Sequence, residues 1–303
     1  MEEVLNVLPI GIKKILSNIS SSNSFLTEIR LRVNRKVIIY IAGKEIILDY
    51  ITTLKDLLDI LVNVSSNSIY AIQNDINQGF VTIKGGHRIG ICGEVVIDNG
   101  KILNIKNISS MNIRIAREII GASDKILRSI VTGKYFQNTL IISPPGAGKT
   151  TILRDIIRQL SNGIVNLHVD GLNVGLVDER GEIAATHNGI NALDVGLRTD
   201  VLSNISKSLG ILMLVRSMGV QVIATDEIGT KEDIEAIKYA SLSGVNLIFT
   251  MHGKDEKDVF KKEGIKELIS ENLFENIIIL SNRNGPGTIE KVYKINSDKM
   301  EVV

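Results

Sequence analysis

The chain has 303 residues, more than one compact core usually holds, so two domains are the expectation. Hydrophobic residues make up 44% but aromatics only 4%, with no tryptophan, so Ile, Val and Leu must fill the core. The 35 basic and 34 acidic residues nearly cancel, which argues against bulk nucleic acid as a partner.

In chain order, residues 2–16 have helical apolar spacing (Val4, Leu5, Leu8, Ile12, Ile15, Leu16), interrupted at Pro9. The Ser/Asn-rich stretch 17–24 reads as a loop. Strands are expected at 28–33, 37–41 and 46–48, then a helix at 53–62 and a second near 67–77. Gly85 and Gly86 suggest a hairpin between 80–83 and 88–93. Asp98, Asn99 and Gly100 suggest another between 95–97 and 101–105, with a strand at 111–116 closing the section. Residues 1–120 thus read as a small N-terminal α+β domain.

From Gly121 onward the pattern changes. Ser123 is expected to cap a helix running to about 131. Apolar strands at 139–142, 174–177, 222–225 and 246–250 then alternate with helices at 149–160, 207–218 and 231–243. That alternation predicts an α/β domain over 121–303, a mostly parallel sheet covered on both faces by helices. Two terminal strands, 276–280 and 288–295, follow.

The strand at 139–142 runs into Ser143, Pro144, Pro145, Gly146, Ala147, Gly148, Lys149, Thr150 and Thr151, and then into a helix. Each residue type has a task if the ligand is a nucleotide phosphate. Gly146 and Gly148 let the backbone turn its N–H groups toward phosphate oxygens. The helix N-terminus adds partial positive charge. Lys149 supplies an ammonium, and Thr150 a hydroxyl suited to Mg2+. Ser143 stands where the P-loop pattern begins with Gly, a change that removes no ligand.

The strand at 222–225 ends in Asp226 and Glu227. It is expected to lie beside the phosphate-loop strand, with both acids at the C-terminal sheet edge. Asp226 would hold the metal, and Glu227 would orient or deprotonate an attacking water. Glu179 and Glu182 follow a further apolar strand; they serve as additional acids or as solvated loop charges. His252 follows another strand. It senses the γ-phosphate, links to a neighbouring subunit, or is a structural hydrogen-bonding histidine.

The order of these motifs resembles the stage III sporulation AA family, relatives of the type II/IV secretion and pilus-type AAA+ ATPases. It is carried by the phosphate loop, by 177–183 with its Asp-Glu-Arg-Gly-Glu-Ile run, by 196–202, 225–229 and 250–253, and upstream by 28–35, 85–93 and 112–118. The resemblance covers nearly the whole chain. It implies a RecA/AAA-like P-loop NTPase that hydrolyses Mg-ATP in a homo-oligomeric, hexameric ring. It also implies a cytoplasmic location on the mother-cell side, against a membrane protein of the sporulation channel. The N-terminal domain of such ATPases supplies arginines to the nucleotide, and by position Arg30, Arg32, Arg114 and Arg117 are the candidates; the alternative for each is a surface ion pair. A tetracysteine zinc motif common among secretion ATPases has no counterpart, since Cys92 is the only cysteine. That lone thiol excludes an intrachain disulfide and fits a reducing compartment.

With no apolar run near the ~20 residues that span a bilayer, and no signal-like start, stable membrane insertion is not expected. A nucleic-acid translocase and a nucleotide-dependent scaffold that hydrolyses poorly stay open as alternatives. The translocase would need a basic groove or stacking aromatics, which this composition disfavours.

Overall fold

The computed structural model describes residues 2–19, 26–65, 72–98, 100–187, 189–296 and 299–302. Most of the expected loop at 17–24, the start of the expected helix near 67–77 and the turn residue Asn99 lie outside them. The chain divides into two compact units: Met1–Arg117 with Ala185–Ala192, and Glu118–Ala184 with Leu193–Val303. Among the described residues no helix is long and apolar enough to cross a membrane.

Unit 1 begins with α1 (Glu2–Val7) and α2 (Ile10–Asn18), separated at Pro9. Its strands are β1 (Leu26–Arg32), β2 (Lys36–Ile41), β3 (Lys44–Ile51), β4 (Phe80–Ile83), β5 (His87–Asp98) and β6 (Lys101–Arg114). Between β3 and β4 lie α3 (Leu54–Val64) and the short α4 (Gln73–Asn77). Thr53 and Asp56 form a capping box that fixes the start of α3.

The six strands form one antiparallel sheet in the order β3-β2-β1-β6-β5-β4. Alternation puts Ile29, Leu31, Ile39, Ile89, Ile91 and Ile113 on one face, where they join Val4, Leu8, Ile12, Leu57 and Ile60 in a core. Residues of the other parity, including Glu28, Arg30, Arg32, Arg88, Asn112 and Arg114, are half-buried or exposed.

The two hairpins expected at 80–93 and 95–105 merge in the structure. β5 and β6 are single long strands, because a bulge lets the chain bend without breaking: pairing jumps from Cys92–Ser110 to Glu94–Lys106. Asn107 takes a left-handed φ of 46° there, and a Cβ on Gly93 would sit 2.5 Å from the Lys106 carbonyl oxygen. Gly93→Ala is therefore expected to destabilise the protein by about 1–3 kcal/mol. Urea denaturation would show this as a lower midpoint at unchanged slope.

Unit 2 opens with α5 (Asp124–Ile130) and the small hairpin β7 (Val131–Thr132) and β8 (Tyr135–Phe136). The expected Ser123 cap is not made. Ser123 is in a helical conformation, and its N–H and hydroxyl both donate to the buried Asp155 carboxylate instead, at 2.9 and 2.7 Å. Asp155 takes further bonds from the amide of Gly121 and from Arg158, so a tertiary acceptor outcompetes the local one.

Then follow β9 (Thr139–Ser143), α6 (Lys149–Asn162) and β10 (Val174–Asp178); the chain next makes the two-stranded hairpin β11 (Thr186–His187) and β12 (Ile190–Asn191), which belongs to unit 1, and continues in unit 2 with β13 (Thr199–Ser203), α7 (Lys207–Ser217), β14 (Val222–Thr225), α8 (Lys231–Leu242), β15 (Asn246–His252), α9 (Glu256–Lys261), α10 (Glu263–Ser270), β16 (Asn276–Ser281), β17 (Thr288–Asn296) and β18 (Lys299–Val302). The large sheet runs β13-β10-β14-β15-β9-β16-β17-β18. All neighbours are parallel up to β16, and the last two strands are antiparallel.

Every residue of β9, β10 and β14 is buried, as continuous apolar strands between two helix layers must be. Ile141 faces Ile152, Leu153 and Ile156 of α6, while Leu140 and Ile142 face the core that holds Ile211, Ile237 and Leu268 of α7, α8 and α10. Phe249 and Phe274 meet edge-on there, with centroids 6.3 Å apart.

The strand order corrects one expectation. β14 does not lie beside β9; β15 sits between them. The β14–α8–β15 crossover delivers β15 into the slot next to β14, and β15 then pairs with β9.

Candidate functional site

The parallel strands of unit 2 all end on one edge of the sheet, and their polar residues collect there. β9 leads through residues 143–148 into α6. Gly146 and Gly148 have φ of 72° and 80°, values open to glycine but strained for other residues. Ser143 is not among the residues of positive φ, so the position needs no glycine, and its hydroxyl turns back onto the Pro144 carbonyl at 3.1 Å. Pro144 is half-buried and Pro145 exposed, while Ala147 is packed inside. The Ala147 carbonyl accepts the Gly287 amide at 2.8 Å, which braces the loop against the β16–β17 turn.

No side chain caps α6, and its first turn carries no acid. The N–H groups of this turn, at the positive end of the helix dipole, are thus left for an anion. Lys149 belongs to the same turn and is 8% exposed. Its ammonium donates to Glu227 Oε1 at 2.6 Å. Thr150 and Thr151 are half-buried on the same turn.

Asp226 and Glu227 follow β14 directly. Glu227 has a left-handed φ of 42°, and its amide donates to Thr250 Oγ1 on β15 at 2.9 Å. The intervening strand is thus what holds the acid in place. The hydrogen bond from Lys149 holds the Glu227 carboxyl below the usual range. Asp226 behaves oppositely: burial, with a contribution from Asp178, Glu182 and Glu227, pushes it up to about 6 despite the opposing pull of Lys207. Its Oδ1 is buried without a hydrogen-bond partner among the described residues.

Beside them, Asp178 is fully buried and accepts the amides of Glu182, Ile183 and Ala184, which winds the 178–184 turn tightly around it. Glu179 pairs with Lys207, the first residue of α7, and Arg180 lies 3.5 Å from Glu227 Oε2. The Glu182 carbonyl accepts from Arg154 at 2.7 Å. His252 ends β15, exposed, in register with Ser143.

Among the described residues no group of three or more His, Cys, Asp or Glu is placed to hold a metal by itself. Mg2+ does not need such a cage, since it keeps waters and substrate oxygens and takes one or two protein ligands. The unpartnered Asp226 oxygen and the Thr150 hydroxyl fit that pattern.

The four candidate arginines belong to unit 1. Arg30 pairs with Glu28 at 2.6 Å and lies over the Tyr40 ring. Arg32 and Arg30 line a cavity of about 370 Å³ with Asn112 and Gly90. Arg114 is exposed opposite Glu28 and Arg88. Arg117 donates to the Leu26 carbonyl at 2.6 Å, so part of its guanidinium is committed to the backbone.

Sequence reasoning did not single out Lys207, Arg180 or Arg154. Arg180 lay within a motif already noted. Lys207 and Arg154 carry no spacing signal, because their partners come from other elements.

Fold and loop together define an α/β protein with a mostly parallel sheet, a glycine-bearing strand-to-helix loop at its C-terminal edge and a separate N-terminal α+β unit. Solved structures share this fold, among them the two that follow. The ATPase DotB of Legionella pneumophila superposes with a TM-score of 0.59 at 14% identity, over 90% of this chain and 76% of its own. The pilus retraction motor PilT with bound ADP also gives 0.59, at 16% identity over 88% and 77%. The chain belongs to the sporulation stage III protein AA family, whose profile matches residues 1–300. Stage III sporulation protein AA of Bacillus subtilis (strain 168) is 39% identical over 294 residues, 97% of this chain and 95% of that one.

Proposed function

We propose that this sporulation protein is a Mg2+-dependent ATP hydrolase that assembles as a homo-oligomeric ring, with six subunits as in the resemblance that suggests it. Its work is to energise a membrane-associated secretion or channel complex in endospore formation, from the cytoplasmic, mother-cell side. The observation that carries the reading is the uncapped start of α6, with a buried lysine held against the carboxylate that follows β14, two strands from β9. That arrangement offers N–H donors and an ammonium to a phosphate and an acid to a water.

In this reading residues 143–151 cradle the phosphates of ATP, and Lys149 leaves Glu227 to neutralise their charge. Thr150 and Asp226 hold the metal, which when bound offsets negative charge on the phosphate oxygens. Glu227, freed from Lys149, orients the attacking water and takes its proton. Glu182 adds negative potential beside Asp226, and Glu179 keeps Lys207 at the same edge. His252, in register with Ser143, responds to the phosphate end of the loop.

Mass measurement with and without ATP, beside an assay of phosphate release, tests the reading. Magnesium-dependent turnover that rises with protein concentration as larger assemblies form is the expected result. Turnover by a strict monomer would remove the ring. Binding of ATP without turnover would leave a nucleotide-dependent scaffold.

A further inference from the structure

Glu227 stands between two cations. Its Oε1 is 2.6 Å from Lys149 Nζ, and its Oε2 is 3.5 Å from an Arg180 guanidinium nitrogen. The first contact is a hydrogen-bonded ion pair; the second is longer than a hydrogen bond and purely electrostatic. The two cations differ in what they can do. Lys149 is buried on the turn that would receive phosphate. Arg180 has a side chain 60% exposed, so its charge moves at little desolvation cost.

The backbones around this trio are held. Glu227 is pinned through its amide to Thr250, so only its side chain is free to turn. Arg180 sits on the turn wound around Asp178, with Gly181 supplying a φ of 63°. Lys207, the other nearby ammonium, is engaged by Glu179. When phosphate draws Lys149 away, Oε1 loses its partner and Arg180 is the cation left facing the carboxylate.

We propose that Arg180 is a positioning residue for Glu227: nucleotide exchanges the Lys149–Glu227 pair for an Arg180–Glu227 pair. Before ATP arrives, the acid is neutralised by the lysine and inactive toward water. After it arrives, the guanidinium holds the carboxylate where a water can meet it. Binding and activation of the acid are then one event. This rests on the ATP-site reading above, and the test separates the two.

The experiment is a double-mutant cycle on the full chain. Affinity for a fluorescent ATP analogue with Mg2+ is measured for wild type, Arg180→Ala, Glu227→Gln and the double variant, and phosphate release is measured for wild type, Arg180→Ala and Arg180→Lys. Glu227→Gln no longer holds the lysine, and nucleotide should bind roughly 3- to 10-fold tighter, the scale of one partly exposed ion pair. Arg180→Ala leaves the carboxylate to Lys149 alone and should weaken binding roughly 2- to 5-fold, an effect that vanishes in the Glu227→Gln background. Turnover at saturating ATP should fall at least roughly 10-fold in Arg180→Ala and recover in part in Arg180→Lys. Equal weakening by Arg180→Ala in both backgrounds would overturn the proposal, because Arg180 would then act on the nucleotide or on the fold without Glu227. Unchanged turnover in Arg180→Ala would overturn it as well. A wild-type chain that fails to bind the analogue would instead bring down the ATP-site reading on which the exchange depends.

Discussion

Glu227→Gln is expected to reduce ATP turnover by about 100- to 10,000-fold while nucleotide is still bound, and Lys149→Ala is expected to lose the binding itself. The contrast follows from where the two groups sit. Lys149 is a buried ammonium in the first turn of α6, and a small neutral residue there leaves the phosphates without their closest cation. Glu227 follows the β14 strand end, and Gln keeps its size and its link to Thr250 through the backbone amide while losing the capacity to accept a proton. Single-turnover kinetics beside equilibrium binding separates the two effects. Equal turnover in Glu227→Gln and wild type would move the acid's role to Glu179 or Glu182. Glu179 is the weaker substitute, since Lys207 already engages it.

Asp226→Asn is expected to stabilise the metal-free, nucleotide-free protein at neutral pH by about 1–3 kcal/mol, and to weaken Mg-ATP binding at the same time. The sign follows from linkage. Asp226 has a folded-state value near 6 against 3.8 for the free side chain, so folding disfavours its charged form. The penalty is absent below about pH 4, grows between 4 and 6 as the folded state retains a proton the unfolded state has lost, and is complete above about 6. Stability of the wild type therefore falls with rising pH across that window, by up to about 3 kcal/mol from this group. The variant should be more stable at pH 7.5, and the difference should disappear near pH 4. Denaturation in EDTA at the two pH values measures it; a gain of equal size at both would mean that the carboxylate's charge is not its source. The acid costs the empty protein stability that a bound cation would return, a trade often found at functional sites.

Much of this is legible in the sequence, for identifiable reasons. The phosphate loop is local: its glycines, lysine and threonine are contiguous, and the strand before it and the helix after it are strongly patterned. The strand leading to Asp226 reads just as plainly, three apolar residues, a β-branched threonine and two acids. The neighbour relation was not legible, because a parallel sheet's order depends on how crossovers fall and not on any one strand. Nor was the role of Thr250, which matters only because β15 lies between β14 and β9.

Ser123 has the composition of a cap and the environment of a tertiary donor; Asp155, distant in sequence, decides between them. β13 escaped because its residues are all half-buried, so neither alternation nor a continuous apolar run marks it. Helices α9 and α10 escaped because their short apolar faces sit in a strongly charged stretch. Lys207 and Arg180 follow the same logic: the sequence names the acids, while the cations that tune them are known only once the chain is folded.

The brace between Gly287 and Ala147 has a consequence for the order of synthesis. The phosphate-loop strand β9 is flanked by β15 and β16, and its loop is steadied by the β16–β17 turn, all drawn from the last part of the chain. A chain emerging from the ribosome exposes the loop sequence long before it can shape it. The cradle is completed only once β15, β16 and the β16–β17 turn have been made, so the growing polypeptide carries the loop through that whole stretch of synthesis without a formed cradle.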